Sequence, residues 1–274
     1  MTRTRRMILR LIAGIALALP LAGGVIAASS DTSPVLARIA ESGTIRVGMS
    51  AGQPPYNMKN RDGKIIGMDA DLAELLAASL EVELEIVEMP FSELLDSLES
   101  GKVDLIISGM TATLQRNMHA AFVGPYMLSG KSILARSETI AALKSEEMNR
   151  ENLKIAALAG STSERFVQMR APNAQLTPTD TYDRAVEMLM ANEVDLFVAD
   201  MGIVMLSRLR APEAGLVSSA QPLNVEPISI AVPANDPLML NLVENYLQML
   251  GSGGALEQLR KKWFESGGWL AQLP

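Results

Sequence analysis

Three stretches of this chain carry side chains suited to gripping a small charged molecule. Gly160-Ser161-Thr162-Ser163 precedes a helical pattern running from about Glu164, so backbone N–H groups and the positive end of a helix would meet there as an anion site. Ser108-Gly109-Met110-Thr111 follows an apolar strand pattern, at the end where open α/β sheets present hydroxyls and backbone groups to ligands. Asp200 closes a second such strand pattern, over 194–199. A carboxylate there that faces a cleft is costly to desolvate unless a cation compensates it, and a ligand ammonium would do so. Each motif also has a plain structural reading: the hydroxyls can cap the helices that follow them, and Asp200 can cap a helix beginning at Met201.

Bond-breaking chemistry finds less support. The chain has one histidine, His119, and no cysteine. That excludes disulfides and thiol nucleophiles and leaves too few ligands for a transition-metal site. No serine stands at motif spacing from His119, which is expected on a helix surface. No catalytic residue, metal or cofactor is therefore expected. The 17 methionines are scattered at core-like positions and read as packing.

The elements that would position these groups alternate strand and helix. Ile45-Arg46-Val47-Gly48-Met49 reads as a strand entering a loop at Gly52-Gln53-Pro54-Pro55. Asp69 is expected to cap a helix over 70–80 with Leu72, Leu75, Leu76 and Leu80 on one face. A strand over 84–87, a helix from Phe91 and a buried-type strand over 103–107 follow, which implies a sheet with parallel strands and covering helices. Sliding the chain by 91 positions lays Phe91, Leu95, Leu98, Val103-Asp104-Leu105 and Ile107 over Tyr182, Val186, Leu189, Val194-Asp195-Leu196 and Val198. The echo predicts two lobes built on one helix-then-strand unit. Segments 131–135 and 228–232 are read as hinge crossings. The divisions expected are 35–133 for the first part of lobe 1, 134–227 for lobe 2 and 228–267 for the return to lobe 1.

Gly43-Thr44-Ile45-Arg46-Val47-Gly48, Pro54-Pro55-Tyr56, Gly67-Met68-Asp69-Ala70-Asp71-Leu72, Gly101-Lys102-Val103-Asp104-Leu105-Ile106, the run from Thr111 to Arg116 and Gly124-Pro125-Tyr126 stand in a recognisable order. In that order and spacing the chain resembles the extracellular solute-binding proteins of polar amino acid ABC transporters, the family of the lysine/arginine/ornithine, histidine and glutamine receptors. The resemblance covers about 35–263. It implies an α/β fold of the type II periplasmic binding protein kind, with two lobes, each a central sheet flanked by helices, joined by two hinge crossings. It assigns Arg116 to the α-carboxylate of a ligand, a role that suits the rigid two-donor fork of guanidinium. By the same resemblance Ser108, Gly109 and Thr111 serve the amino and carboxylate groups, Ser161 and Thr162 complete the carboxylate's hydrogen bonds, and Asp200 takes the amine. Phe91 would cover one side of the ligand side chain and Tyr56 would stand on the opposite rim, with core packing the alternative for both. Gln53 and Ser50 depart from the family pattern, replacing an aromatic and an acidic position. They argue against a basic side chain.

Arg3, Arg5, Arg6 and Arg10, an apolar run from Met7 to Val25 and the small residues Ala27-Ala28 have the order of a cleavable secretory signal over 1–27. Its removal leaves a net charge of about −11, which makes nucleic acid an unlikely partner. The expectation is a periplasmic monomer that closes over an amino acid or similar zwitterion and delivers it to an ABC transporter permease. Two other readings stay open: a periplasmic dehydratase of prephenate or arogenate type on the same fold, with Glu164 as general acid, and a partner that docks on a membrane sensor.

Overall fold

The computed structural model describes residues 33–273, so the signal expected over 1–27 lies outside them. Two five-stranded mixed sheets carry the fold. In the first, the strands run in the order Glu83–Glu88, Thr44–Met49, Leu105–Ile106, Glu226–Pro233, Ala120–Ser129. The first three are parallel, and Glu226–Pro233 lies antiparallel to both of its neighbours. The second repeats this plan: Gln175–Thr179, Lys154–Leu158 and Leu196–Asp200 are parallel, followed by antiparallel Lys131–Ala135 and Val217–Ser218. A small sheet of Gly52–Gln53, Asn57–Lys59 and Ile65–Ile66 decorates the first lobe.

The 91-residue echo is chemical as well as topological. Val103-Asp104-Leu105 and Val194-Asp195-Leu196 enter the same place in their sheets, and each aspartate locks the opening strand of its lobe. Asp104 accepts from the Arg46 amide at 2.7 Å, and its own amide donates to Arg46 O at 2.9 Å. Asp195 accepts from the Lys154 amide at 2.8 Å and donates to Lys154 O at 2.9 Å. The copies differ in charge environment: Asp104 is buried between the guanidinium groups of Arg38 and Arg46, whereas Asp195 is half-buried and, among the described residues, has no such pair. Asp104→Ala strands two cations and an amide, so it should cost about 3 kcal/mol. Asp195→Ala should cost only about 1 kcal/mol. Thermal melts of the two variants check this difference.

Strand alternation divides the core. Ile133, Leu196 and Val198 point into one apolar cluster with Phe166 and Val167. Leu134, Phe197 and Ala199 point the other way, into a cluster continuous with the first lobe's Val47, Leu105 and Ile228. The lobes thus share one apolar cluster. The helix Pro237–Ser252, capped by the Asp236 side chain on the Met239 amide at 2.9 Å, packs against Ala120–Ser129 and Glu226–Pro233 and returns the chain to the first lobe.

Two expectations shift. The helix expected from residue 70 is Met68–Ser79, with Gly67 at its N-cap. Asp69 caps nothing there and turns into the core. Gly67 has φ +138°, and a Cβ on it would stand 2.1 Å from Tyr56 O, so glycine is required. The expected crossings move as well. Lys131–Ala135 belongs wholly to the second sheet, so a division after residue 133 cuts a paired strand. Segment 228–232 is likewise paired within the first sheet, in a strand that starts at Glu226. Extended apolar strands find ladder partners, and the crossings occur where pairing stops, at Gly130 and at 224–225. There the chains touch: a Cβ on Gly130 would stand 2.2 Å from Asn224 O. The Lys131 amide donates to Asn224 Oδ1 at 2.8 Å.

Candidate ligand-binding cleft

On the first lobe, Asp69 fixes the strand-end loop. Its carboxylate accepts from the Gly109 amide at 2.8 Å, Asn57 Nδ2 at 2.7 Å and the Tyr126 hydroxyl at 2.7 Å. Burial pushes its carboxyl up to about 6 against the pull of those three donors. Gly109 therefore spends its amide inside the protein. Ser108 does the same with its hydroxyl, which donates to Gln53 Oε1 at 2.9 Å and accepts from the Ser50 amide at 3.1 Å. The Ser108 hydroxyl and the Gly109 amide thus hold the loop together.

Arg116 opens a short 3-10 turn, Arg116–Met118. Its guanidinium donates to Thr111 O at 2.9 Å and, across the cleft, to Gly160 O at 3.1 Å. It also lies 5.4 Å from the centre of the Phe91 ring, within cation–π range. Among the described residues no carboxylate forms a salt bridge with it, and desolvation by burial lowers its pKa.

On the second lobe, Ser161 caps the helix Thr162–Arg170 through the Glu164 amide at 3.2 Å and donates to Leu158 O at 2.6 Å. Its hydroxyl follows the capping reading. Glu164 folds back to accept from the Gly160 amide at 2.7 Å.

Where the two sheets meet lies a buried cluster of charges. Asp200, at the end of Leu196–Asp200, stands directly across the antiparallel ladder from Lys131. Lys131 Nζ donates to Asp200 Oδ1 at 2.7 Å and lies 2.8 Å from Glu226 Oε2, with the lysine 1% exposed. The same Glu226 oxygen accepts from Thr111 Oγ1 and Thr162 Oγ1, each at 2.8 Å, and Asn224 Nδ2 donates to Oε1 at 2.9 Å. The premise of an unpaired Asp200 is thus corrected: a tethered ammonium reaches it first. Burial would raise the Glu226 carboxyl, but the Lys131 charge and these donors hold it below its ordinary value. Asp200 is raised by burial, with Lys131 opposing and Glu226 adding to the shift.

Tyr56 is not on a rim. It is fully buried, its ring against Gly109 and 5.2 Å from that of Phe264. The aromatic opposite Phe91 is instead its echo, Tyr182, whose hydroxyl accepts from Gln53 Nε2 at 3.4 Å across the cleft. Phe91, Tyr182, Gln53 and Ser50 line one cavity of about 570 Å³. Arg116, Ser161 and Thr162 line another of about 360 Å³. His119 is exposed beyond the Arg116 turn, with Nδ1 2.6 Å from Glu99 Oε1.

Sequence reasoning missed Lys131 and Glu226 as cleft residues. A lysine opening the otherwise apolar strand Lys131–Ala135 is the signal available beforehand, because a lysine buried there needs a carboxylate partner.

Two lobes on mixed sheets joined by two crossings define the fold of the type II periplasmic binding proteins. Residues 45–266 match the bacterial extracellular solute-binding proteins, family 3, and the chain belongs to that family. ABC transporter arginine-binding protein 1 of Escherichia coli is 26% identical over 227 residues, covering 80% of this chain and 90% of its own. Cyclohexadienyl dehydratase of Pseudomonas aeruginosa is 26% identical over 231 residues, covering 84% and 86%. Among solved structures, a mutant of ArgBP from T. maritima gives a TM-score of 0.79 at 32% identity, covering 85% of this chain and 100% of that one. A binding component of an ABC transporter from Wolinella succinogenes, complexed with lysine, gives 0.79 at 30% identity, covering 84% and 99%. Among the described residues, no helix is long and apolar enough to cross a membrane.

Proposed function

We propose that the protein is a periplasmic receptor that closes over an amino acid with an uncharged side chain, or a similar small zwitterion, and delivers it to an ABC transporter permease. The observation that carries this reading is the charge balance of the cleft. Among the described residues Arg116 is a cation with no carboxylate in salt-bridge contact, and Asp200 and Glu226 share the single ammonium of Lys131. One positive and one negative charge therefore remain to be met. A zwitterion meets both: its carboxylate completes Arg116 and its ammonium completes the Asp200–Glu226 pair. A basic amino acid or a simple anion would leave a net charge in a desolvated site, which is unfavourable.

Closure follows from where these groups sit. Arg116 and Thr111 belong to the first lobe, Thr162 and Asp200 to the second, and Lys131 and Glu226 flank the crossings. Only the closed form brings all of them to one ligand, so the ligand shifts the open–closed equilibrium. The expected signal and the acidic mature chain support a soluble monomer working in the periplasm.

The dehydratase reading draws on the Pseudomonas relative. Against it stands Glu164, whose carboxylate is committed to the Gly160 amide at the start of its own helix. Prephenate would also bring two negative charges and no ammonium to a cleft with one cation to spare. A thermal-shift screen of the mature protein against neutral, basic and acidic amino acids, with prephenate and arogenate turnover assayed in parallel, tests both. Neutral amino acids at about 100 times their Kd should stabilise the protein by about 2.7 kcal/mol. No response to any zwitterion, or dehydration of either acid, would overturn the receptor reading.

A further inference from the structure

We propose that Lys131 sets the charge class of the solute, acting as a fixed cation that neutralises one of the two cleft carboxylates so that a single negative charge is left for the ligand. This rests on the receptor reading above and names the residue that selects within it. Lys131 is well placed for the task. Its backbone is pinned on both sides, the amide to Asn224 Oδ1 at 2.8 Å and the carbonyl to the Leu223 amide at 2.7 Å. Its side chain is buried, and its ammonium is shared between Asp200 on the second sheet and Glu226 at the start of the last strand of the first. Glu226 in turn holds a threonine hydroxyl from each lobe. The ammonium therefore sits at the junction of both sheets and both crossings, where a change in its charge is felt by the ligand groups.

The consequence is a selectivity that can be moved in either direction. Without the Lys131 charge the cleft carries two carboxylates against Arg116 and has a surplus negative charge, which favours a dibasic amino acid. Without the Glu226 charge, Lys131 and Asp200 cancel, and Arg116 is left as the only uncompensated group of the cluster. That favours a carboxylate lacking an ammonium. Buried or half-buried charges are weakly screened, so each change should alter relative affinity by about tenfold or more.

The experiment uses three ligands of matched length, norleucine, lysine and hexanoate, measured by calorimetry on the wild-type mature protein and on Lys131→Met, Lys131→Arg and Glu226→Gln. In Lys131→Met the preference for lysine over norleucine should rise at least tenfold, and Lys131→Arg should keep the wild-type order. In Glu226→Gln the preference for hexanoate over norleucine should rise at least tenfold. Should Lys131→Met fail to fold, the Glu226→Gln shift decides. Unchanged ratios in variants that fold and bind would overturn the role of Lys131 while leaving the receptor reading intact. A wild-type protein that binds none of the neutral amino acids would overturn that reading first.

Discussion

Arg116→Ala should lower affinity for the cognate amino acid at least a hundredfold, with the melting temperature of the unliganded protein little changed. The asymmetry follows from what the guanidinium does in the closed form. Its protein partners are two backbone carbonyls, Thr111 O and Gly160 O, and the face of Phe91. Losing these costs the free protein at most a modest cross-cleft bond, and water can reach the carbonyls when the lobes open. The ligand loses more. A carboxylate brought into the cleft without the guanidinium is a desolvated anion beside Asp200 and Glu226, and truncating one partner of such a buried charge pair costs about 2–5 kcal/mol. Arg116→Lys should recover only part of the loss, because an ammonium offers a point charge where the fork offers parallel donors. Calorimetry and melting curves on the three proteins give both readouts. A loss of less than twofold in Arg116→Ala would remove Arg116 from the binding site.

Much of the scaffold behind this residue is legible in the chain itself. The apolar runs alternate with helical patterns, and the repeated Val-Asp-Leu unit marks equivalent strands because both aspartates lock the strand that opens their lobe. The same echo makes Tyr182 the second-lobe counterpart of Phe91, and the structure shows the two lining one cavity. What escapes is whatever depends on distant pairing. Lys131–Ala135 looks like a crossing because an extended apolar segment carries no mark of the sheet it joins. The Lys131–Glu226 contact spans most of the second lobe, and no local pattern announces it. Ser108, Gly109 and Ser161 carry hydrogen-bonding groups at the ends of their strands. Whether a group turns to a ligand or to its own loop depends on angles that spacing does not carry, and these three turn inward. Tyr56 fails for the opposite reason: an aromatic next to a proline pair looks like a rim residue, yet the ring fills the space left by Gly109.

Ligand affinity should fall as the medium is acidified, and Asp200→Asn should flatten most of that dependence. Burial raises the Asp200 carboxyl above its ordinary value, with the Lys131 charge opposing and the Glu226 charge reinforcing the shift. A ligand ammonium binds the ionised carboxylate better than the neutral acid, so the Asp200 pKa is lower in the complex than in the free protein. Affinity is therefore full above the free-protein pKa and declines by up to about tenfold per pH unit as pH drops through it. The other groups facing Asp200 titrate elsewhere. Glu226 is held below the usual carboxylate range, Tyr56 and Tyr182 are pushed above theirs by burial, and Arg116, though lowered, starts from a guanidinium value. Asp69, raised to about 6, reaches the cleft through the Gly109 amide and through Asn57, which binds Ser50. Any slope that survives in Asp200→Asn is then attributable to Asp69, and a doubly substituted Asp69→Asn, Asp200→Asn protein should show none. Asparagine at 200 keeps an acceptor for Lys131 but offers the ligand no charge, so affinity at neutral pH should drop roughly thirtyfold, the scale of a lost charge-assisted hydrogen bond of about 2 kcal/mol. Calorimetric titrations at several pH values on the wild type and both variants measure slope and offset together. A wild-type affinity that is flat in acid, or an Asp200→Asn profile parallel to it, would mean that the ligand's ammonium does not rest on Asp200.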